Sequence, residues 1–124
     1  MLPGAGARAT LPRGERLRDR EQIEHLFRWG SRLDRPGFVL LWARDSGRRA
    51  AAFTASRRLG GSVQRNRARR RLREAYRRHR DLVPERGLKL CLVARPVAID
   101  LPFRDLAAQV ADALRHAARR LAVS

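Results

Sequence analysis

SVQRNRARRRLREAYRRHR, residues 62–80, decides how the rest of the chain is read. At helical spacing, Ala68, Leu72, Ala75, Tyr76 and His79 fall within one sector about 100° wide, the width of a core-facing stripe. Asn66, Arg69, Arg70, Arg73, Arg77 and Arg80 fall on a separate, contiguous sector of similar width. The segment therefore sorts apolar from cationic side chains despite its extreme composition, which predicts a helix with a core face and a basic ridge. Ser62 is the expected N-cap, and the Gly60-Gly61 pair before it allows a sharp backbone turn.

The flanking segments read as strands. FVLLWA, residues 38–43, is continuously apolar between Pro36-Gly37 and the turn cluster Asp45-Ser46-Gly47. AAAFTA, residues 50–55, is a weaker strand because alanine is a poor strand former, and the intervening turn predicts an antiparallel hairpin. LKLCLVA, residues 88–94, is a third strand between Gly87 and Pro96. A first helix is expected over 19–29. Asp19 followed by Gln22 is a capping-box pattern, Ile23, Leu26 and Phe27 recur at helical spacing, and Gly30 stands where a C-terminal cap belongs. At the other end Asp100 is the expected N-cap, with Pro102 in the first turn. Leu106, Val110, Leu114, Ala117 and Leu121 then share one helical face. Residues 1–15, rich in Gly, Ala and Pro, read as a flexible basic arm, leaving 16–124 as a single domain.

Composition narrows the partners. The 124 residues are 44% hydrophobic, enough for one core, and carry 29 Lys+Arg against 12 Asp+Glu, a net charge of +17. Lys89 is the sole lysine. Such a charge points to a polyanion, and planar guanidinium groups suit phosphate and bases better than ammonium does. One cysteine, Cys91, excludes a disulfide framework. No apolar run reaches the roughly 20 residues of a membrane span, and the first residues lack the apolar segment of a secretory signal. The expected location is cytoplasmic.

Between Arg57 and Arg80 stand eleven arginines and one acid, Glu74, so +10 of the net charge lies there. Like charges at i+3 and i+4 each destabilise a helix by roughly 0.2–0.5 kcal/mol, so a merely solvated face is a poor explanation. Electrostatics alone leaves DNA, RNA and anionic lipid open. A membrane helix would present large apolar residues, whereas this apolar side carries Ala, Leu and one Tyr. Base readout in DNA usually mixes amides and hydroxyls among the arginines, and only Asn66 does so here. Backbone or shape recognition fits better than sequence-specific DNA binding.

Arg65-Asn66-Arg67, Arg69-Arg70 and Arg73 follow Ser56-Arg57-Arg58-Leu59-Gly60 and Val63, and this arrangement resembles the protein component of bacterial ribonuclease P. The likeness extends from Arg16 to Leu121: Arg16-Leu17 through Phe27 and Gly30, Phe38-Val39-Leu40, Phe53-Thr54-Ala55-Ser56 and Val93-Ala94-Arg95-Pro96 match family segments. The resemblance implies an α+β, two-layer α/β sandwich of order α-β-β-β-α-β-α, with a left-handed crossover through the basic helix. A fourth short strand is then expected among residues 31–44. It also implies a role in a ribonucleoprotein endonuclease that removes the 5′ leader of precursor tRNA. A ribosomal or RNA-chaperone type of binding protein is the alternative.

On this resemblance Arg57, Arg58, Arg65, Asn66, Arg67, Arg69, Arg70 and Arg73 contact the catalytic RNA subunit. A cleft between the first helix and the sheet, with Arg18, Ile23, Phe27, Phe38 and Leu41, holds the single-stranded leader. Ile23 and Leu41 stand where the family commonly has Phe and Tyr, and Phe27 and Phe38 read equally well as core. Arg57, Arg58 and Arg69 replace common lysines with retention of charge. His25, His79 and His116 share no motif, the acids form no paired-carboxylate signature, and Cys91 reads as a buried thiol. No protein catalytic residue is expected. The resemblance instead implies Mg²⁺ held mainly by the RNA subunit, and none bound by the protein alone.

Overall fold

Asp19 opens the first helix, α1 (Arg20–Trp29), its side chain accepting the Glu21 N–H at 2.9 Å. The chain leaves at Gly30, whose N–H donates to the Leu26 carbonyl at 3.0 Å. A Cβ there would lie 2.6 Å from that carbonyl oxygen, so only glycine fits. Strands β1 (Ser31–Asp34), β2 (Phe38–Arg48) and β3 (Ala50–Thr54) follow, then helix α2 (Ser62–His79), strand β4 (Arg86–Ala94) and helix α3 (Phe103–Val123). This computed structural model describes residues 11–123. The element order is the expected α-β-β-β-α-β-α, and β1 is the fourth strand sought among residues 31–44.

The sheet order is β1-β2-β4-β3, which corrects the expected hairpin. β2 runs through the Asp45-Ser46-Gly47 cluster instead of reversing there. Asp45 accepts the Gly47 N–H at 2.7 Å, and the local turn becomes an irregularity in the β2–β4 register between Arg44 and Arg48. The chain then bends past the start of β4, where the Arg49 N–H donates to the Glu85 carbonyl at 2.8 Å. β4 enters the gap between β2 and β3, antiparallel to the former and parallel to the latter. Its Leu88, Leu90, Cys91 and Leu92 are fully buried, as befits a strand covered on both faces.

Chirality fixes the hand of the β3-α2-β4 crossover. Viewed from the α2 side with β3 running upward, an L-residue facing the viewer turns its backbone N–H and C=O to the right. Ala51 packs in the core beneath α2, and its carbonyl accepts the Leu17 N–H at 2.9 Å. The Leu17 segment therefore lies to the right of β3 and β4 to its left. The crossover is left-handed, against the usual rule.

Each sheet face has its own core. Phe38, Leu40, Trp42, Ala51, Leu90 and Leu92 pack beneath α2 and α3, whose Ala68, Leu72, Ala75, Tyr76, Leu106, Val110, Leu114 and Ala117 are buried as the periodicity predicted. Val39, Leu41, Ala52 and Cys91 face the other way and pack with Leu17, Leu26 and half-buried Ile23. Two helix starts differ from expectation. Gly61 rather than Ser62 is the N-cap of α2, and Asp100 ends a short 3-10 turn over Pro96–Ile99, two residues before Pro102 leads into α3.

Residues 1–10 of the expected arm lie outside the described residues, but 11–15 belong to the packed body. Leu11 is buried in the main core, and a 3-10 turn over Arg13–Glu15 places Glu15 inside the protein. Glu15 accepts hydrogen bonds from Arg49 Nε at 2.9 Å, from the Tyr76 hydroxyl at 2.9 Å and from Arg80. Arg49 Nη1 also donates to the carbonyls of Arg80 and Val83, at 3.2 and 3.0 Å. A buried acid and a buried arginine thus satisfy one another, and the segment before α1 is fastened to the end of α2.

Candidate nucleic-acid interface

The basic ridge of α2 divides into regions that differ in how their charge is met. Towards the C-terminus, Glu74 accepts from Arg77 Nε and Nη2 at 2.9 and 2.7 Å and from Arg78 Nε at 2.8 Å. The Arg77 hydrogen bond, and then that of Arg78, hold the Glu74 carboxyl at about 2, against the opposing effect of burial. Arg80 is paired with Glu15. One flank of the helix anchors the loop before α3. Arg67 Nε donates to the Ile99 carbonyl at 2.9 Å, Arg71 Nη1 to that of Ala98 at 2.7 Å, and Arg78 lies 4.9 Å from the Phe103 ring centre.

The N-terminal half is different. Arg57 and Arg58 are exposed in a 3-10 turn that ends at Gly60, whose φ of 136° demands glycine. Helix α2 then starts with no side-chain cap and no acid in its first turn, leaving amide donors and positive dipole towards solvent. Arg70 is exposed, and Arg69 donates to Asn66. The Arg73 guanidinium is held below its ordinary pKa first by burial and then by the charges of Arg16, Arg70 and Arg69. Arg65 Nε is buried without a hydrogen-bond partner. No acid among the described residues forms an ion pair with Arg57, Arg58, Arg65, Arg69, Arg70 or Arg73.

The structure thus brings the expected set into one region, with Arg67 turned partly to the loop. It also adds Arg16, which the α2 pattern could not reveal. Arg16 arrives through a parallel bridge to Ala51 on the outer edge of β3. What remains is a set of crowded cations whose mutual repulsion Glu74 offsets only in part, at Arg73, and an external anion would relieve.

The expected leader cleft is rearranged. Ile23 is half-buried, Phe27 is 54% exposed, Leu41 is buried on the sheet face beneath α1, and Arg18 is exposed just before the helix. Phe38 is corrected: it is fully buried on the opposite face, beneath α2 and α3. Residues an odd number of positions apart in a regular strand point to opposite sides, so Phe38 and Leu41 do not share a cleft. Of the two phenylalanines, only Phe27 offers a ring to a base.

Of the other chemistry-bearing residues, His25 is exposed at α1, His79 is half-buried at the end of α2, and His116 meets Trp42 edge-on at 5.9 Å between ring centres. Burial pushes the Cys91 thiol up to about 11. Among the described residues, no three His, Cys, Asp or Glu side chains form a metal-binding group, and no helix is long and apolar enough to cross a membrane.

A four-stranded sheet carrying a left-handed crossover helix, whose arginine ridge has a single acid and none in its first turn, defines an α+β protein built to face a polyanion. The chain belongs to the ribonuclease P protein family: the family profile described as Ribonuclease P matches residues 11–118. A ribonuclease P protein component from Chloroflexus aurantiacus is 39% identical over 111 residues, covering 86% of this chain and 80% of the relative. Another from Brevibacillus brevis is 38% identical over 88 residues, 69% of each chain. The solved RNase P protein of Thermotoga maritima shares the fold with a TM-score of 0.72 and 23% identity, over 82% of this chain and 96% of that one. Membership brings ribonuclease P activity as a holoenzyme, tRNA processing and RNA binding.

Proposed function

We propose that this chain acts in the cytoplasm as the subunit that binds the catalytic RNA of ribonuclease P through the N-terminal half of α2. It also holds the 5′ leader of precursor tRNA along the α1 side of the sheet. The observation that carries this reading is the crowding of Arg16, Arg69 and Arg70 around Arg73, each outweighing the one acid that acts on it, Glu74. Phosphates of a folded RNA relieve that repulsion, and the displaced counterions drive association. Arg57, Arg58, Arg65, Asn66 and the uncapped start of α2 extend the same surface. Arg67 contributes its remaining nitrogens. Phe27, with Arg18 and Ile23, forms the wall on which the leader lies, and Leu41 supports it from beneath α1.

Mg²⁺ held mainly by the RNA subunit supplies the activated water, and the protein neutralises phosphate and positions substrate. Reconstitution tests the reading directly. Purified protein alone is expected to leave precursor tRNA intact and to restore cleavage by the RNA subunit at low Mg²⁺. Cleavage by RNA-free protein after nuclease treatment would overturn the assignment of chemistry to RNA. Tight binding to ribosomal RNA, without any gain in precursor cleavage, would favour the ribosomal or chaperone alternative.

A further inference from the structure

A buried carboxylate, Glu15, has no part in the RNA-binding reading, yet it holds the segment of a cation that does. It is 8% exposed and accepts hydrogen bonds from Arg49 Nε and the Tyr76 hydroxyl, both at 2.9 Å, and from Arg80. Arg49 is itself tied to the carbonyls of Arg80 and Val83. The carboxylate is thereby fixed to the C-terminal end of α2 and the start of β3. Arg16 follows it directly, exposed and bridged to Ala51 on the outer edge of β3. Leu17 holds the other side: its side chain is buried in the core beneath α1, and its N–H donates to the Ala51 carbonyl at 2.9 Å. A buried residue on each side thus keeps Arg16 at the sheet edge, where its charge is the largest of those pressing on Arg73.

We propose that Glu15 is a positioning residue for RNA binding. Without touching RNA, its carboxylate keeps Arg16 beside Arg73, so that the two meet the phosphates of the RNA subunit as one surface. The inference rests on the RNA-binding reading above and names what assembles that surface. Repulsion is the reason a holder is needed. In the free protein the charges of Arg16 and Arg73 push each other apart, and an unanchored segment would relieve the strain by moving away. Ordering it again on binding would cost backbone and side-chain entropy and so weaken the complex. The Glu15 contacts fix the backbone one residue from Arg16 before RNA arrives. Their charge is matched inside the protein by Arg49 and Arg80, so Glu15 orders the ridge cation without neutralising its guanidinium. An exposed acid paired with Arg16 would order it equally well, but would oppose the phosphate.

Binding of the full chain to the RNA subunit across a salt series tests this, because charge counting alone predicts the opposite sign. Removing a carboxylate raises the net positive charge by one, which by itself strengthens RNA binding and does not make its salt dependence shallower. If Glu15 positions Arg16, Glu15→Ala instead weakens binding. Its slope of log affinity against log salt should become shallower by about 0.7–0.9, the loss expected for Arg16→Ala. The double variant Glu15→Ala/Arg16→Ala should have the slope of Arg16→Ala alone. Glu15→Gln, which still accepts a hydrogen bond, should lose less, and it keeps the test open if Glu15→Ala does not fold. Phe38→Ala, destabilised through the core beneath α2 and α3, should keep the wild-type slope at a temperature where it is folded. An unchanged or steeper slope in the folded Glu15 variants would overturn the positioning role. So would an unchanged slope in Arg16→Ala, a double variant that loses twice the slope, or an equal loss in Phe38→Ala. If the slope also stayed unchanged on replacing Arg69, Arg70 and Arg73 together with alanine, the parent reading would fall as well.

Discussion

Replacing Arg69, Arg70 and Arg73 together with alanine should change RNA affinity and protein stability in opposite directions. Each guanidinium that meets a phosphate contributes about 0.7–0.9 to the slope of log affinity against log salt. The triple variant should therefore bind the RNA subunit with a slope shallower by about two to three. At helical spacings of three and four the variant also removes five repulsive pairs, Arg65–Arg69, Arg67–Arg70, Arg69–Arg73, Arg70–Arg73 and Arg73–Arg77, against one favourable pair, Arg70–Glu74. These are worth roughly 0.2–0.5 kcal/mol each, and alanine is the better helix former. The free protein should thus melt no lower than wild type and up to a few degrees higher, by the usual relation of about 4–8 °C per kcal/mol in small domains. The comparison variant is Arg77→Ala, whose guanidinium is already held bidentately by Glu74. Its slope should move by less than about one. The assay is a filter-binding titration across a salt series, paired with a thermal melt in the absence of RNA. An unchanged slope in the triple variant would refute phosphate contact by this surface. A slope change per residue as large for Arg77 as for the three would refute the division of the ridge by Glu74.

Three other outcomes follow from particular contacts. Glu15→Ala leaves the guanidinium of Arg49, itself only 6% exposed, without its buried counter-charge; the loss should be about 3–5 kcal/mol in a denaturant melt, and Glu15→Gln should cost less because it still accepts hydrogen bonds. Phe27→Ala should reduce affinity for leader-bearing precursor more than for mature tRNA, whereas Phe38→Ala should destabilise the protein by about 3–5 kcal/mol with no preference between the two substrates. The Glu74 carboxyl is depressed from 4.5 to about 2, so its contribution to stability is complete above about 4.5 and is lost as pH falls towards 2. Stability measured against pH should therefore lose part of its acid dependence within that window in Glu74→Gln, and an identical dependence in both proteins would remove Glu74 from the account.

The helices were legible because their burial follows a local period. In 62–80 the apolar sector became the core face, and in 103–123 the same rule held from Leu106 to Ala117. Sheet order is not a local property. FVLLWA and AAAFTA look like a hairpin because a turn cluster separates them, yet the chain inserts β4 between them by a crossover of the rarer hand. A clue was present in LKLCLVA, whose near-continuous apolar run suits a strand buried on both faces more than one at an edge. Strand parity likewise separates Phe38 from Leu41 without any structure, and the family pattern overrode it. Glu15 carried no such signal: a single acid in a Pro- and Gly-rich segment acquires its partners only when β3 and α2 are assembled around it.

The placement of acids explains why the ridge is bare at one end only. At its C-terminal end α2 must lie close to Arg49, to the turn at Arg80–Leu82 and to the segment before α1, and cations brought that near other buried groups need counter-charges of their own. Glu15 and Glu74 supply them there. Away from these contacts, repulsion among Arg16, Arg69, Arg70 and Arg73 is tolerated in water and offset only in part, by Glu74 acting on Arg73. An acid placed there would stabilise the free protein and oppose every phosphate that approached. Its absence is what a surface reserved for an external polyanion requires, and it makes the stability of this protein and its affinity for RNA competing properties of the same side chains.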